Sequence, residues 1–520
     1  MPLPPIAFDN SYARELPGFY TAWPPVPAPQ PQLLKLNHAL AAELGLDAAA
    51  LASADGLAVL SGQVVPAGAE PLAQAYAGHQ FGGFSPQLGD GRALLLGELI
   101  DRHGRRRDWA FKGSGRTPYS RGGDGKAAVG PVLREYLMGE AMHALGIPTT
   151  RVLAAVATGE PVQRDRVLPG ALLNRIAASH IRVGTFQFFA ARGRHDDVQR
   201  LVAYTLARHD PELQGTEPPA LALLRAMAER QAALIAQWMG VGFIHGVMNT
   251  DNMTLSGETI DYGPCAFMEQ HDPAAVFSSI DHGGRYAYGQ QPLIARWNIA
   301  RLAECLLPLI DPDADRAVAA ATAVIDAFPA MYAARWLAVM RAKLGLAGDA
   351  PEHDEADRTL AEAWLALLQA QGADHTLAFR ALADAVDGAA GVAVGDAVAD
   401  HAAPSARISG VPATHTLQQL LPEAPAREAW LARWRARLAQ QPQAAGGHAA
   451  ALCRANPLYI PRNHRVEAVL TAAIEHADLS PFDELLAVLQ RPFEAQAGHA
   501  ADAEPAAREQ TACYQTFCGT

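Results

Sequence analysis

Apolar residues recur at helical spacing through 222–239, the pattern breaks at a glycine-containing turn, and two short strand-like pieces, 253–255 and 258–260, flank a Ser256-Gly257 turn. Upstream, short apolar runs predict strands over 93–99 and 108–112, a hairpin across 147–162 turning at Gly159-Glu160, and a strand over 170–177. Between them, the spacing of Val132, Leu133, Tyr136, Leu137, Ala141, Met142 and Leu145 predicts a helix over 130–145. Helical periodicity also covers 33–52. From Asp196 onward it dominates, over 197–209, 218–239, 297–309 and the Ala/Leu-rich 312–385. The Pro-rich stretch 1–33, with PPVPAPQPQ at 24–32, predicts a surface strap, and 386–416 and 440–450 predict loops or linkers. An extended Pro-containing piece at 456–470 interrupts the last helices. The pattern is that of an α+β chain, with a small β-rich unit ahead of a larger helical one.

Composition narrows the chemistry. The 520 residues are 50% hydrophobic and 18% charged, enough for two or three packed units. A net charge of −12 gives no whole-molecule attraction to nucleic acid or an anionic membrane, so an anionic nucleotide needs a local basic site. The N-terminus has no basic stretch followed by an apolar one, and no uninterrupted apolar run reaches 18 residues, which predicts a cytoplasmic, monomeric protein. Five scattered cysteines suggest neither a disulfide framework nor a zinc site.

The candidate chemistry centres on HGVMNTDNMTLSGETIDYGP, residues 245–264. A loop Asn, Asn252, precedes by nine residues an Asp-Tyr-Gly that opens with Asp261, the order in which protein-kinase-like enzymes hold metal ions bridging nucleotide phosphates. Such oxygen ligands suit Mg²⁺. The kinase loop also carries an Asp that accepts the substrate proton, and here Val247 fills that position. Either no transfer occurs or a different one uses a different base, and Asp251 is the nearest replacement.

Lys112 closes an apolar strand, as a phosphate-binding lysine does, with Glu135 its expected partner and Glu140 the alternative. Gly89-Asp90-Gly91-Arg92 would let the backbone approach phosphate or simply turn a hairpin. The loop after Lys112, with Arg116, Arg121, Asp124, Gly125 and Lys126, feeds a helix N-terminus. It reads either as a phosphate site or as a solvated loop. Arg175 and Arg182, seven apart, would share one face if helical and would make ion pairs or clamp phosphate.

Taken together, QLGDGRA, AFKGSGRTPYSRGGDGK, NRIAASHIRVGTFQFF, HGVMNTDN, DYGPCAF and NPLYIPRNH resemble the selenoprotein O family. The resemblance implies a protein-kinase-like bilobal fold. It would comprise an N-terminal extension (1–70), an N-lobe (71–177), a C-lobe (178–345) and a helical C-terminal region with a cysteine-containing tail (346–520). It implies a protein adenylyltransferase that binds ATP flipped relative to kinases and moves AMP to Ser, Thr or Tyr hydroxyls of proteins. Nucleotide contacts would come from Gly89, Gly91, Arg92, Lys112, Asp124, Gly125, Arg175, Arg182 and Asp261. Mg²⁺ or Mn²⁺ would sit on Asn252 and Asp261, and Asp251 would accept the proton. UTP in place of ATP, a transfer-inactive scaffold and a kinase with an atypical base stay open. Family members of eukaryotes carry selenocysteine near the position of Cys518, and pairing of Cys518 with Cys265 or Cys513 would restrain the segment after Asp261.

Overall fold

In the computed structural model, which describes residues 3–346, 348, 351–386, 408–441 and 447–517, ten strands fall before residue 178. They are β1 (Tyr20–Ala22), β2 (Gln32–Leu36), β3 (Leu72–Gln74), β4 (Gly78–Gln80), β5 (Gly83–Ser85), β6 (Ala93–Ile100), β7 (Arg106–Lys112), β8 (Ala127–Ala128), β9 (Arg151–Gln163) and β10 (Val167–Ala177). Eight form one antiparallel sheet in the order β1-β3-β6-β7-β10-β9-β2, with β8 on β10, while β4 and β5 make a separate hairpin.

Alternation along the strands gives the sheet two buried faces. Leu94, Leu96, Trp109, Phe111, Leu153 and Leu172 pack outward under Leu40, Leu44, Leu51 and Leu60 of the first 70 residues. Leu95, Ala110, Val152 and Leu173 face the other way, onto the helix Val129–Ala144 and the main core. Each large apolar side chain so buried contributes about 1.5–3 kcal/mol. Lys112 shares the inner face with Ala110. Its register partner on β10 is Leu173, so Arg175, two residues further on, is its diagonal neighbour.

The helix Val129–Ala144 has Pro131 in its first turn and ends in a Schellman closure, where Ile147 N donates to Met142 O and Gly146 N to His143 O. The helices Pro219–Val241, Gln291–Ile310 and Ala314–Lys343 pack on one another below the sheet. Ala314–Lys343 is long and apolar enough to cross a bilayer by length and composition alone. Near the end of the chain, Thr516 returns to this region: its N donates to Phe277 O (2.7 Å) and its Oγ1 to Pro264 O (2.7 Å).

Four expectations from the sequence are corrected. The helix over 33–52 is the strand β2 followed by His38–Glu43 and Ala48–Leu51, because Asn37 and Asp47 each cap a new helix start. The hairpin over 147–162 is one strand, β9, and Gly159 is there because a Cβ would stand 2.8 Å from Gln30 O of the crossing N-terminal arm. The pieces 253–255 and 258–260 form only isolated bridges, Thr254 to Arg182 and Thr259 to Thr149. Arg175 and Arg182 share no helix, since Arg175 ends in β10 and Arg182 precedes the helix Val183–Ala190. Most of the expected linker at 386–416, part of 440–450, and Cys518 with its pairings lie outside the described residues.

Candidate active site

The helix Pro219–Val241 stops at Gly242, which is left-handed (φ +73°), and Phe243–Ile244 leads into the loop 245–252. Three elements hold that loop. Asn298 Nδ2 donates to Met248 O (2.9 Å), Thr250 Oγ1 donates to Gln187 Oε1 (2.6 Å) on the helix Val183–Ala190, and Asn249 Oδ1 accepts from Phe81 N (3.1 Å) beyond β4. Asp251 and Asn252 sit in a single 3₁₀ turn, Thr250–Asn252. Above it, between loop and sheet, opens a cleft of ≈460 Å³.

The residues expected to contact nucleotide, hold metal or accept the proton line this cleft: Gly89, Gly91, Arg92, Lys112, Asp124, Gly125, Arg175, Arg182, Asp251, Asn252 and Asp261, with Val247 beside them; Asp90, Arg116, Glu135 and Glu140 do not. Lys112 Nζ binds Glu135 Oε2 (2.6 Å) and Asp261 Oδ1 (2.5 Å), and Arg175 Nη1 binds Glu135 Oε1 (3.1 Å) and Asp261 Oδ1 (2.9 Å). Glu135 is therefore the partner of Lys112. Glu140 instead takes Arg151 (2.6 Å). Asp261 holds a left-handed backbone, φ +62°, uncommon for a residue with a side chain and met most readily by Asp and Asn. Burial alone would raise its carboxyl, but Lys112, Arg175 and Arg182 hold it well below the usual carboxylate range.

Asp251 is treated differently. It is 9% exposed, Gln80 Nε2 reaches its Oδ2 at 3.4 Å, and its Oδ1 is buried with no hydrogen-bond partner. Burial pushes its carboxyl up to about 6 against the opposing pull of Arg182. Arg182 lies over the Tyr76 ring (4.4 Å to its centroid), and its Nη2 is also buried without a partner. Both residues line the cleft, and each keeps one buried polar atom without a hydrogen-bond partner, which is uncommon in native interiors.

Asn252 Nδ2 donates to Val247 O (3.0 Å), which orients the amide and leaves Oδ1 as its acceptor. One amide oxygen with the Asp261 carboxylate matches a Mg²⁺ site that draws its remaining ligands from phosphates and water. Among the described residues no group of three or more His, Cys, Asp or Glu would hold a metal alone. The glycines serve close packing of two loops: a Cβ on Gly89 would fall 2.3 Å from the Tyr119 ring, and one on Gly91 2.8 Å from Tyr119 O. The Asp124 carboxylate is engaged by both Arg164 nitrogens (2.8 and 3.1 Å) and by Lys126 N (2.9 Å), so it holds its loop in shape and lines the cleft edge.

The sequence reading did not single out Tyr76, Gln80, Tyr119 or Arg164, all of which line the cleft. Tyr76 and Gln80 lie in QAYAGHQFGGF, where Ala75 and Ala77 flank the tyrosine and His79 and Phe81 the glutamine, and no local pattern sets either apart. Behind Arg175 lies a second unforeseen feature. Its Nε contacts His180 Nε2 (3.2 Å), His180 Nδ1 meets Asp108 Oδ2 (2.9 Å), and Asp108 pairs with Arg208 (2.5 Å). Cys265 is fully buried, donates to Tyr262 O (3.5 Å) and is pushed up to about 11 by burial, whereas Cys513 is exposed.

The family described as "Protein adenylyltransferase SelO" matches residues 2–490. A "Protein nucleotidyltransferase YdiU" of Rhizobium leguminosarum bv. trifolii is 57% identical over 514 residues, covering 99% of this chain and 97% of the relative. One of Cereibacter sphaeroides is 59% identical over 515 residues, covering 99% of each. With a family match over residues 2–490 and relatives 57–59% identical over nearly the whole length, the chain belongs to the SelO family of protein adenylyltransferases.

Proposed function

We propose that this chain transfers AMP from ATP to Ser, Thr or Tyr hydroxyls of other proteins, on a kinase-like frame of two lobes, 71–177 and 178–345, with the nucleotide turned end for end relative to a kinase. The observation that carries this is the pairing of Val247, buried where a kinase keeps its base, with Asp251 four residues along the loop, whose buried Oδ1 has no partner. The flip brings the α-phosphate to Asp251 and the β- and γ-phosphates to Lys112, Arg175 and Arg182. The acceptor oxygen attacks the α-phosphorus, its proton passes to Asp251, and the bond from the α-phosphorus to the bridging oxygen breaks to release pyrophosphate. A positioned base contributes roughly 10²- to 10⁴-fold, and the guanidinium and ammonium groups stabilise charge building on the leaving group. Asn252 and Asp261 would hold Mg²⁺ or Mn²⁺, which supplies charge neutralisation at the phosphates.

Intact-protein mass spectrometry after incubation with Mg²⁺ and ATP tests the reading. An added AMP on the protein or on acceptor proteins is expected. An added phosphate would make the chain a kinase with an atypical base, and no adduct anywhere would make it a nucleotide-binding scaffold. A parallel incubation with UTP reads the choice of base.

A further inference from the structure

Four exposed large apolar side chains lie along one lip of the cleft: Phe81 (39% exposed), Phe84 (42%), Ile280 (45%) and Leu293 (59%). Phe81 and Ile280 line the cleft mouth itself. Phe84 faces His79 across the β4–β5 pair, ring centroids 4.9 Å apart, and His79 meets Trp297 edge-on at 5.2 Å. Leu293 lies four residues before Trp297 in the helix Gln291–Ile310, on the same face. A continuous apolar strip thus runs from the β4–β5 hairpin to that helix. The strand that carries it also delivers Gln80 to Asp251.

A cation is built into the strip. The Arg285 guanidinium stacks over Trp297 (4.7 Å) beneath Gly82, where an added Cβ would stand 3.7 Å from its Cζ. Its Nε is buried with no partner, and among the described residues no carboxylate pairs with it. Arg301 also lies over the same indole (4.9 Å) and pairs with Glu304 (2.7 Å). Burial and then the fields of Arg301 and Arg285 hold the His79 imidazole below its ordinary value. On a chain of net charge −12, an arginine pre-oriented by an aromatic ring and lacking an acidic partner is local complementarity for an anion.

We propose that this lip docks the acceptor protein, by an extended segment that carries the hydroxyl to be modified, an apolar side chain seated against Phe84, Trp297 and Leu293, and an acidic side chain on Arg285. The proposal rests on the transfer reaction above and names the acceptor class that reaction uses. The nucleotide lies deeper, on Lys112 and Arg175, so docking and nucleotide binding are separable.

The test uses the full chain and synthetic peptides that each hold one Ser, Thr or Tyr, with the neighbouring residues varied between Glu, Lys, Leu and Ala. Incorporation of labelled AMP is read beside ATP affinity by calorimetry. Wild type is expected to favour peptides with an acidic and an apolar neighbour, by at least about 5-fold over the lysine versions. Arg285→Glu should reverse the charge preference, and Phe84→Ala and Leu293→Asp should raise the peptide KM with kcat retained, all three with unchanged ATP affinity. Equal labelling of acidic and basic peptides, or an Arg285→Glu preference that does not move, overturns the docking proposal. Loss of ATP affinity in Arg285→Glu also overturns it, by assigning that residue to the nucleotide. If wild type labels itself but no peptide, the docking proposal falls and the transfer reaction stands; if it labels nothing, the transfer reaction falls.

Discussion

Asp251 and Asp261 belong to one short segment and line one cleft, yet the fold gives them opposite electrostatics. Asp261 sits among Lys112, Arg175 and Arg182 and stays ionised. Asp251 is enclosed by Gly78, Leu88 and the loop backbone, with the side-chain amide of Gln80 3.4 Å from its Oδ2, and its carboxyl rises to about 6. Two carboxylates whose environments push their proton affinities apart are suited to different tasks, one a fixed charge and the other a group that takes and releases a proton near neutrality.

Substitution breaks the comparison most directly. Asp251→Asn is expected to lower AMP transfer by roughly 10²- to 10⁴-fold while ATP binding, measured by calorimetry, stays within a few-fold of wild type; transfer at the wild-type rate would remove Asp251 from the chemistry. Asp261→Asn should fail earlier, in binding. It leaves Lys112 and Arg175 to share Glu135 alone, so thermal stability should fall by an amount on the order of 3 kcal/mol, and added Mg²⁺ should no longer strengthen ATP binding.

The contrast sharpens in stability against pH. The Asp251 carboxyl is raised in the folded protein, so its ionised form costs stability above pH 6 or so, and that cost fades as pH falls toward its ordinary value. Asp251→Asn should therefore be more stable than wild type at pH 8, on the order of 2 kcal/mol. The gap should close between about pH 6 and 4, as thermal midpoints across that range would record. The smallest effect concerns rate. Transfer should rise with pH through about 6 as Asp251 ionises, and Gln80→Leu, which removes a bond favouring the ionised form, should move that rise upward by a fraction of a pH unit.

What was legible in the sequence was the part whose chemistry lies in local order: Asn252 before Asp261, Val247 at the vacant base position, Lys112 at a strand end and Glu135 on the following helix. Strand register and helix spacing carry Asn252, Asp261, Val247 and Lys112 to one cleft and set Glu135 against Lys112. What was not legible depends on chain crossings. Gly159 looked like a turn but marks where the arm at Gln30 passes over β9. The run 33–52 kept helical periodicity although Asn37 and Asp47 divide it, since caps act one residue at a time and periodicity averages over many. Arg164 and Gln80 reach the cleft from segments with no motif of their own, and only the sheet order shows that they arrive.

The return of Thr516 to Pro264 has a consequence for when the protein becomes competent. Pro264 is part of the cleft wall, and the residue that ties its carbonyl down is made 252 positions later. At a synthesis rate of ~5–20 residues per second, roughly 13–50 s separate the two. Throughout that interval the wall segment lacks the Thr516 bonds to Pro264 and Phe277, so a nascent chain carries an unfinished cleft wall. A chain stopped at residue 513 would stay in that condition, with a smaller ATP-induced rise in melting temperature than the complete protein.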